Sequence, residues 1–295
     1  MTPLAQELAN EIFMSSSFAA HLVVEGTSDF AAFKQHRQTR SGLNIVPAHG
    51  KPIVLECMNI VEATKTNNTK YAGFHVHFFV DRDYTNPLNQ AKESPVLTST
   101  DERDFECQML KSNAFDRVAF EVICEKRLRQ GNISIFDFRD SLLNSASVIG
   151  ATRFASAKSN ESIDFKELQP NKFFDGKKLN LNTKQLATHL SGKNRGMNIT
   201  EARILKDVQS AKNESYFSSP YLLCSGHDLI LLMSAALKNW WKPKSLDTSV
   251  EPPTLEAMFR LAYGDIFRTA GCYKRIHVWL TQATGNANLL APPIT

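Results

Sequence analysis

Four carboxylates stand where hydrophobic runs stop. The stretches "HLVVEGTSDF", residues 21–30, and "HVHFFVDRDY", residues 75–84, each lead an apolar segment straight into acids: Glu25 and Asp29 in the first, Asp81 and Asp83 in the second. In an open parallel sheet, ligands bind outside the carboxyl ends of the strands, the place that Glu25 and Asp81 take if both runs are strands. Carboxylates crowded there repel one another, and the usual relief is a divalent cation, above all magnesium with its oxygen ligands and retained waters. Asp81 and Asp83, two residues apart just past a strand, can both face one ion as the chain turns out of the sheet. Glu25 would reach it from another strand. Gly26 lets a phosphate approach the backbone. A structural reading covers the same residues: Asp81 and Asp83 open a turn before "TNPLN", and Asp29 sits in the first turn of a helix, where negative charge suits the dipole.

The elements that must position these acids follow a regular alternation. Thr2 as N-cap, Pro3 at the first helical position, and Leu4, Leu8, Ile12 and Phe13 at helical spacing predict a short amphipathic helix within residues 1–17. Then come a strand "HLVVE", a helix "DFAAFKQHRQ" capped by Ser28, a strand "LNIVPA", a helix "PIVLECMNIVEATK" and a strand "GFHVHFFVD". This βαβαβ order implies an α/β fold with a mainly parallel sheet and helices on its faces. A fourth strand, "SPVLTST", leads to "STDERDFECQML", where Ser99 and Glu102 have capping-box spacing for the next helix. Beyond about residue 115 the periodicity is helical, in "FDRVAFEVICEKRLRQG", "FDFRDSLLNSASVIG", "TEARILKDVQSAK", "GHDLILLMSAALKNWW" and "TLEAMFRLAYGDIFRTAGCYKRIHVWLTQA". Residues 158–200 are polar and poorly periodic, which predicts a loop-rich, mobile insert.

Composition narrows the class. A chain of 295 residues with 42% apolar content can bury the core of one large or two ordinary domains. The longest strongly apolar run, "LILLMSAAL", is too short to span a bilayer, and the acids in "TPLAQELANEIF" are unlike a signal peptide, so a cytoplasmic protein without membrane contact is expected. Five scattered cysteines without a CxxC pair argue against a disulfide framework and a zinc site. Net charge is only +4, but residues 151–215 hold twelve Lys and Arg against seven acids. The middle of the chain is therefore its basic part, open either to solvation of loops and helix faces or to contact with phosphates.

With these residues in place, the chain resembles a known family. "VVEGTSD" followed by "FFVDRDY" is similar to the glutamate and DxD elements of the TOPRIM domain shared by topoisomerases, primases and OLD-family nucleases. "VLTSTDERDFECQML" and "CSGHDLILL" extend the resemblance to an OLD-like TOPRIM family of bacterial defence loci, which includes the effector nucleases of PARIS anti-phage systems. The core of the resemblance covers residues 18–112. It implies a Rossmann-like TOPRIM catalytic domain over 18–125, followed by a largely helical and basic region over 126–295. Carried over, it makes Glu25 the essential acid, with Asp81 and Asp83 holding magnesium or manganese, and Asp29 and Glu106 as ligands of a second ion. Asp101 and Asp104 are alternatives to Glu106. His49 and Lys51, in "AHGKP", would meet a scissile phosphate. His227 in "GHDL" would either contact phosphate or pack at a helix start.

The implied reaction is two-metal hydrolysis of a nucleic-acid phosphodiester, on DNA or RNA. The PARIS resemblance makes transfer RNA the target and abortive infection the outcome, in a homodimer restrained by a separate ABC-type ATPase. This chain has no GxxxxGK[ST] loop, so that ATPase would be another protein. Two other readings use the same residues. "FHVHFFVDRDYT" also resembles the signature of haloacid-dehalogenase-like phosphatases, with Asp81 as nucleophile, Asp83 as acid/base and Thr98 or Ser99 on the phosphate. A non-catalytic TOPRIM that serves as a regulatory docking module is the other.

Overall fold

The computed structural model describes residues 2–15, 17–38, 42–88, 90, 94–244 and 250–294. The chain divides into two compact units, the first made of residues 1–82, 92–101 and 263–295, the second of residues 83–91 and 102–262.

The first unit is an α/β layer structure. Helix α1 (Pro3–Met14) starts as the sequence predicts, with the Thr2 side chain accepting the Ala5 N–H and Pro3 in the first turn, and it buries Ala5, Leu8, Ala9 and Ile12 along one stripe. Strand β1 (Ala20–Val24) is followed by α2 (Thr27–His36), β2 (Leu43–Pro47), α3 (Lys51–Asn67), β3 (Val76–Val80) and β4 (Leu97–Ser99). All pairings are parallel, in the order β2-β1-β3-β4, with Val24 opposite both Pro47 and Phe79. Every residue of β1 and β3 is buried, as expected for parallel strands covered on both faces. Val23, Phe78 and Val80 face α1 and α3 in one core. The alternate residues face the other way, where Phe79 meets Phe33 of α2 at 5.1 Å between ring centroids and His77 meets Trp279 at 4.6 Å. Phe267 and Tyr273 complete that second layer around Phe33, so the end of the chain, residues 263–294, closes the sheet unit.

Two caps differ from the sequence reading. Gly26, not Ser28, is the N-cap of α2, because Asp29 reaches back to accept the Gly26 N–H at 2.9 Å and satisfies a donor that the helix leaves open. Ser99 ends β4 instead of capping a helix; the next helix begins six residues later behind Asp104.

The second unit is helical. It contains α4 (Phe105–Lys111), α5 (Ala114–Val122), α6 (Glu125–Gly131), α7 (Ile135–Lys158), a short hairpin of β5 (Phe174–Asp175) and β6 (Asn180–Leu181), α8 (Thr183–Lys193), α9 (Glu201–Lys212), α10 (Pro220–Leu223) and α11 (Gly226–Ala236). A π-helical turn, Leu237–Trp241, extends α11. Helix α12 (Pro252–Phe267) has its residues 252–262 in this unit, and α13 (Gly271–Thr284) follows in the first unit.

Several expected segments are subdivided or extended. The run "FDRVAFEVICEKRLRQG" makes two helices, because the extended backbone at Ile123 and Cys124 interrupts it. Helix α7 does not stop at Gly150: a Cβ there would lie 2.5 Å from the Leu223 carbonyl oxygen, so this glycine serves close packing and not termination. The 158–200 segment is built into the fold. Asn182 caps α8, and Phe173, Phe174, Leu179, Leu186 and Leu190 are buried. Its polar residues cover those anchors, which hides the apolar pattern from a periodicity reading. The final "TLEAMF…TQA" run is likewise two helices, α12 and α13.

Candidate functional site

The carboxyl ends of β1, β2 and β3 are tied together by residues of the loops that leave them. Glu25, directly after β1, accepts the backbone N–H of Asp81, directly after β3, on Oε2 at 3.1 Å. The Glu25 carbonyl accepts the N–H of Gly50 at 3.0 Å, which joins the loop after β2 to the same edge. Lys51 opens α3 and sends its Nζ to the carbonyls of Asp81, at 2.5 Å, and Arg82, at 3.3 Å. Arg82 is fixed in turn, its N–H on the Thr100 hydroxyl at 2.9 Å and its Nε on the Thr100 carbonyl at 3.0 Å. Glu25 and Asp81 are half-buried, and His49 is exposed in the same exit loop.

That loop carries backbone strain. His49 has φ of 60° and Gly50 of 128°, two successive left-handed residues between β2 and α3. A non-glycine residue held there is uncommon and persists where its surroundings impose it, a pattern that gathers at functional edges. The structure thus brings Glu25, His49, Lys51 and Asp81 to one edge of the sheet. Lys51 meets the backbone beyond β3, so it positions the Asp81 turn. Asp29 is 5% exposed and holds the start of α2.

Asp83 and Glu106 belong to the second unit. Asp83 also has a left-handed φ, 51°, and its N–H donates to the Arg103 carbonyl at 2.7 Å. Glu106 is half-buried in the first turn of α4. Of its alternatives, Asp104 caps α4 through the Cys107 N–H at 2.8 Å and accepts the Gly226 N–H on both oxygens at 3.1 Å. A Cβ on Gly226 would meet the Cys107 nitrogen at 2.5 Å and collide with the Glu106 Cβ, which explains the glycine of "GHDL". Asp101, in the first unit, accepts the Cys272 N–H and one Arg275 nitrogen, both at 3.0 Å. His227 is exposed on the first turn of α11 and lines a cleft of about 820 Å³. Beside it Asp228, 1% exposed, takes Arg153 bidentately at 2.8 and 2.9 Å. The sequence reading missed this pair, since nothing local links residues 75 positions apart.

Among the described residues no group of three or more His, Cys, Asp and Glu side chains is arranged to hold a metal ion. Glu25 and Asp81 each stand directly after one of two neighbouring strands, and magnesium is an ion commonly held by one or two carboxylates with waters and substrate phosphate oxygens filling the rest. No helix among the described residues is long and apolar enough to cross a membrane. No protein-family model matches the chain, and no curated protein matches it by sequence.

Proposed function

We propose that this chain is a metal-dependent nuclease of the OLD-like TOPRIM type that hydrolyses nucleic-acid phosphodiesters. The observation that carries the reading is the Glu25 Oε2 to Asp81 N–H bond at 3.1 Å, which sets two carboxylates at the carboxyl edge of adjacent parallel strands. Magnesium or manganese held by Glu25 and Asp81 would supply charge stabilisation and an acidified water. Glu25 ties the exit of β3 to that of β1. Lys51 fixes the Asp81 and Arg82 carbonyls, and His49 stands exposed to meet a phosphate. The family resemblance further supports transfer RNA as the target, a homodimer, and a separate ABC-type ATPase that restrains the enzyme until infection. The phosphatase alternative is weakened at Thr98, whose hydroxyl is buried and bonded to His77 Nε2 at 2.9 Å instead of facing a phosphate.

The test offers labelled total tRNA and plasmid DNA to purified protein with magnesium. Cutting of either that disappears with EDTA and in Glu25→Ala is the expected result. Wild-type cutting that persists in Glu25→Ala, or no cutting of either substrate by folded protein, counts against it.

A further inference from the structure

A cleft of about 520 Å³ in the second unit carries unbalanced charge. It is lined by Lys126, Arg127, Lys242 and Lys244 around Trp240, and by no acidic residue among those described. Lys177, from the β5–β6 turn, adds a fifth cation, its Nζ 4.3 Å from the centroid of the Trp240 ring.

The local fold builds this arrangement on an anchored tryptophan. Trp241 is 3% exposed, donates from Nε1 to the Gly176 carbonyl at 2.8 Å, and meets Phe138 edge-on at 5.4 Å. Its carbonyl accepts the Cys124 N–H at 2.7 Å, which joins the start of α6 to the π-helical turn. That turn closes with the Lys242 N–H on the Leu237 carbonyl at 3.1 Å. While Trp241 goes into the core, Trp240 stays half-buried in the cleft. Single π-turns recur at functional sites. The Arg127 guanidinium lies 3.5 Å from the Trp240 ring centroid, a stacked geometry that fixes its plane and pre-organises its edge donors.

Three acids near these cations in the sequence, among the described residues, are engaged with other cations. Glu125 pairs with Arg129, Asp175 lies 3.9 Å from Lys178, and Glu251 pairs with Lys238 at 2.6 Å. Four positive charges that line one cleft, with a fifth over its tryptophan, repel one another, and an anion relieves that repulsion. A single phosphate carries at most about two negative charges. A polymer, with one charge per phosphate, matches cations spread over α6, the hairpin turn and the segment after the π-turn.

We propose that the Trp240 cleft binds the phosphodiester backbone of a nucleic acid. The choice of ligand rests on the nuclease reading; the cation cluster itself does not. Binding is measured by fluorescence anisotropy in EDTA, where no metal-dependent cutting occurs, with labelled RNA and DNA oligonucleotides of one sequence over a range of salt. The variant Lys126→Gln/Lys242→Gln/Lys244→Gln is compared with Lys34→Gln/Lys70→Gln/Lys184→Gln, which removes the same charge elsewhere. The cleft variant should bind at least tenfold more weakly than the control. Its salt slope should be shallower by about 2, because each phosphate left without its lysine removes about 0.7 from the slope for a single strand. RNA and DNA arms then show which polymer the cleft prefers. Equal binding by cleft variant and control, or absence of binding by the wild type, overturns the proposal. If the cleft variant loses binding while the wild type never cuts, the cleft stands and the nuclease reading falls; if the wild type cuts and the cleft variant binds normally, the reverse holds.

Discussion

Two pairs of acids, one pair in each unit, are held in different ways. In the helical unit, Asp228 is 1% exposed with both oxygens on Arg153, and Asp104 is 7% exposed with its oxygens on two backbone N–H groups. In the sheet unit, Glu25 and Asp81 remain half-buried at strand ends, and the bond that joins them uses the backbone of one and the side chain of the other. The aspartate of "GHDL" is therefore structural, while Glu25 and Asp81 keep the partial solvent contact that the proposed metal site needs. The difference lies in what each acid accepts from and how much water it keeps.

Three substitutions or conditions sharpen that contrast. The largest effect is expected for Glu25→Ala, which should reduce metal-dependent cleavage on the order of 10³-fold, since a catalytic metal supplies several kcal/mol of transition-state stabilisation. Loss of the acceptor for the Asp81 N–H should lower its stability by only about 1 kcal/mol. Asp228→Ala should lower stability by more, about 3 kcal/mol in denaturant unfolding, the low end for breaking a buried pair because Arg153 keeps some solvent. An Asp228→Ala protein as stable as the wild type would remove the structural half of the comparison.

A third test uses pH. Burial lowers His77 to about 3 and His21 to about 4 from the ordinary 6.5, and both lie in the sheet unit. The unfolded chain takes up these protons near pH 6.5 while the folded chain resists. Their stabilising contribution is thus complete above pH 6.5 and is lost as pH falls toward 4 and 3. On the order of 2 kcal/mol per histidine should be gone by about pH 5. Melting curves at about pH 7 and about pH 5 measure the loss, and His77→Gln should shrink it.

Much of the sheet unit is legible in the sequence because its strands are short apolar runs closed by turn residues. "AHLVV" and "VHFFV" lie where their burial on both faces demands, and the parallel order follows from the helices between them. The start of α2 is harder to read because an aspartate three residues on from the glycine competes with a serine for the cap. The return of residues 263–294 to the sheet is not legible, since Phe267 and Tyr273 carry no local mark of Phe33 as their partner. The strand-end positions of Glu25 and Asp81 are readable from the apolar runs before them. The bonds from Lys51 to the Asp81 and Arg82 carbonyls are not, because a lysine at a helix start looks the same whether it meets solvent, phosphate or backbone.

The most direct test of the strand-edge account is calorimetric titration of magnesium into the wild type and Asp81→Ala, with melting curves of both. If Glu25 and Asp81 hold the ion, Asp81→Ala should bind magnesium at least tenfold more weakly and melt no lower than the wild type, because the bond that Glu25 accepts comes from the Asp81 backbone N–H and survives the substitution. Unchanged magnesium affinity in folded Asp81→Ala would contradict it.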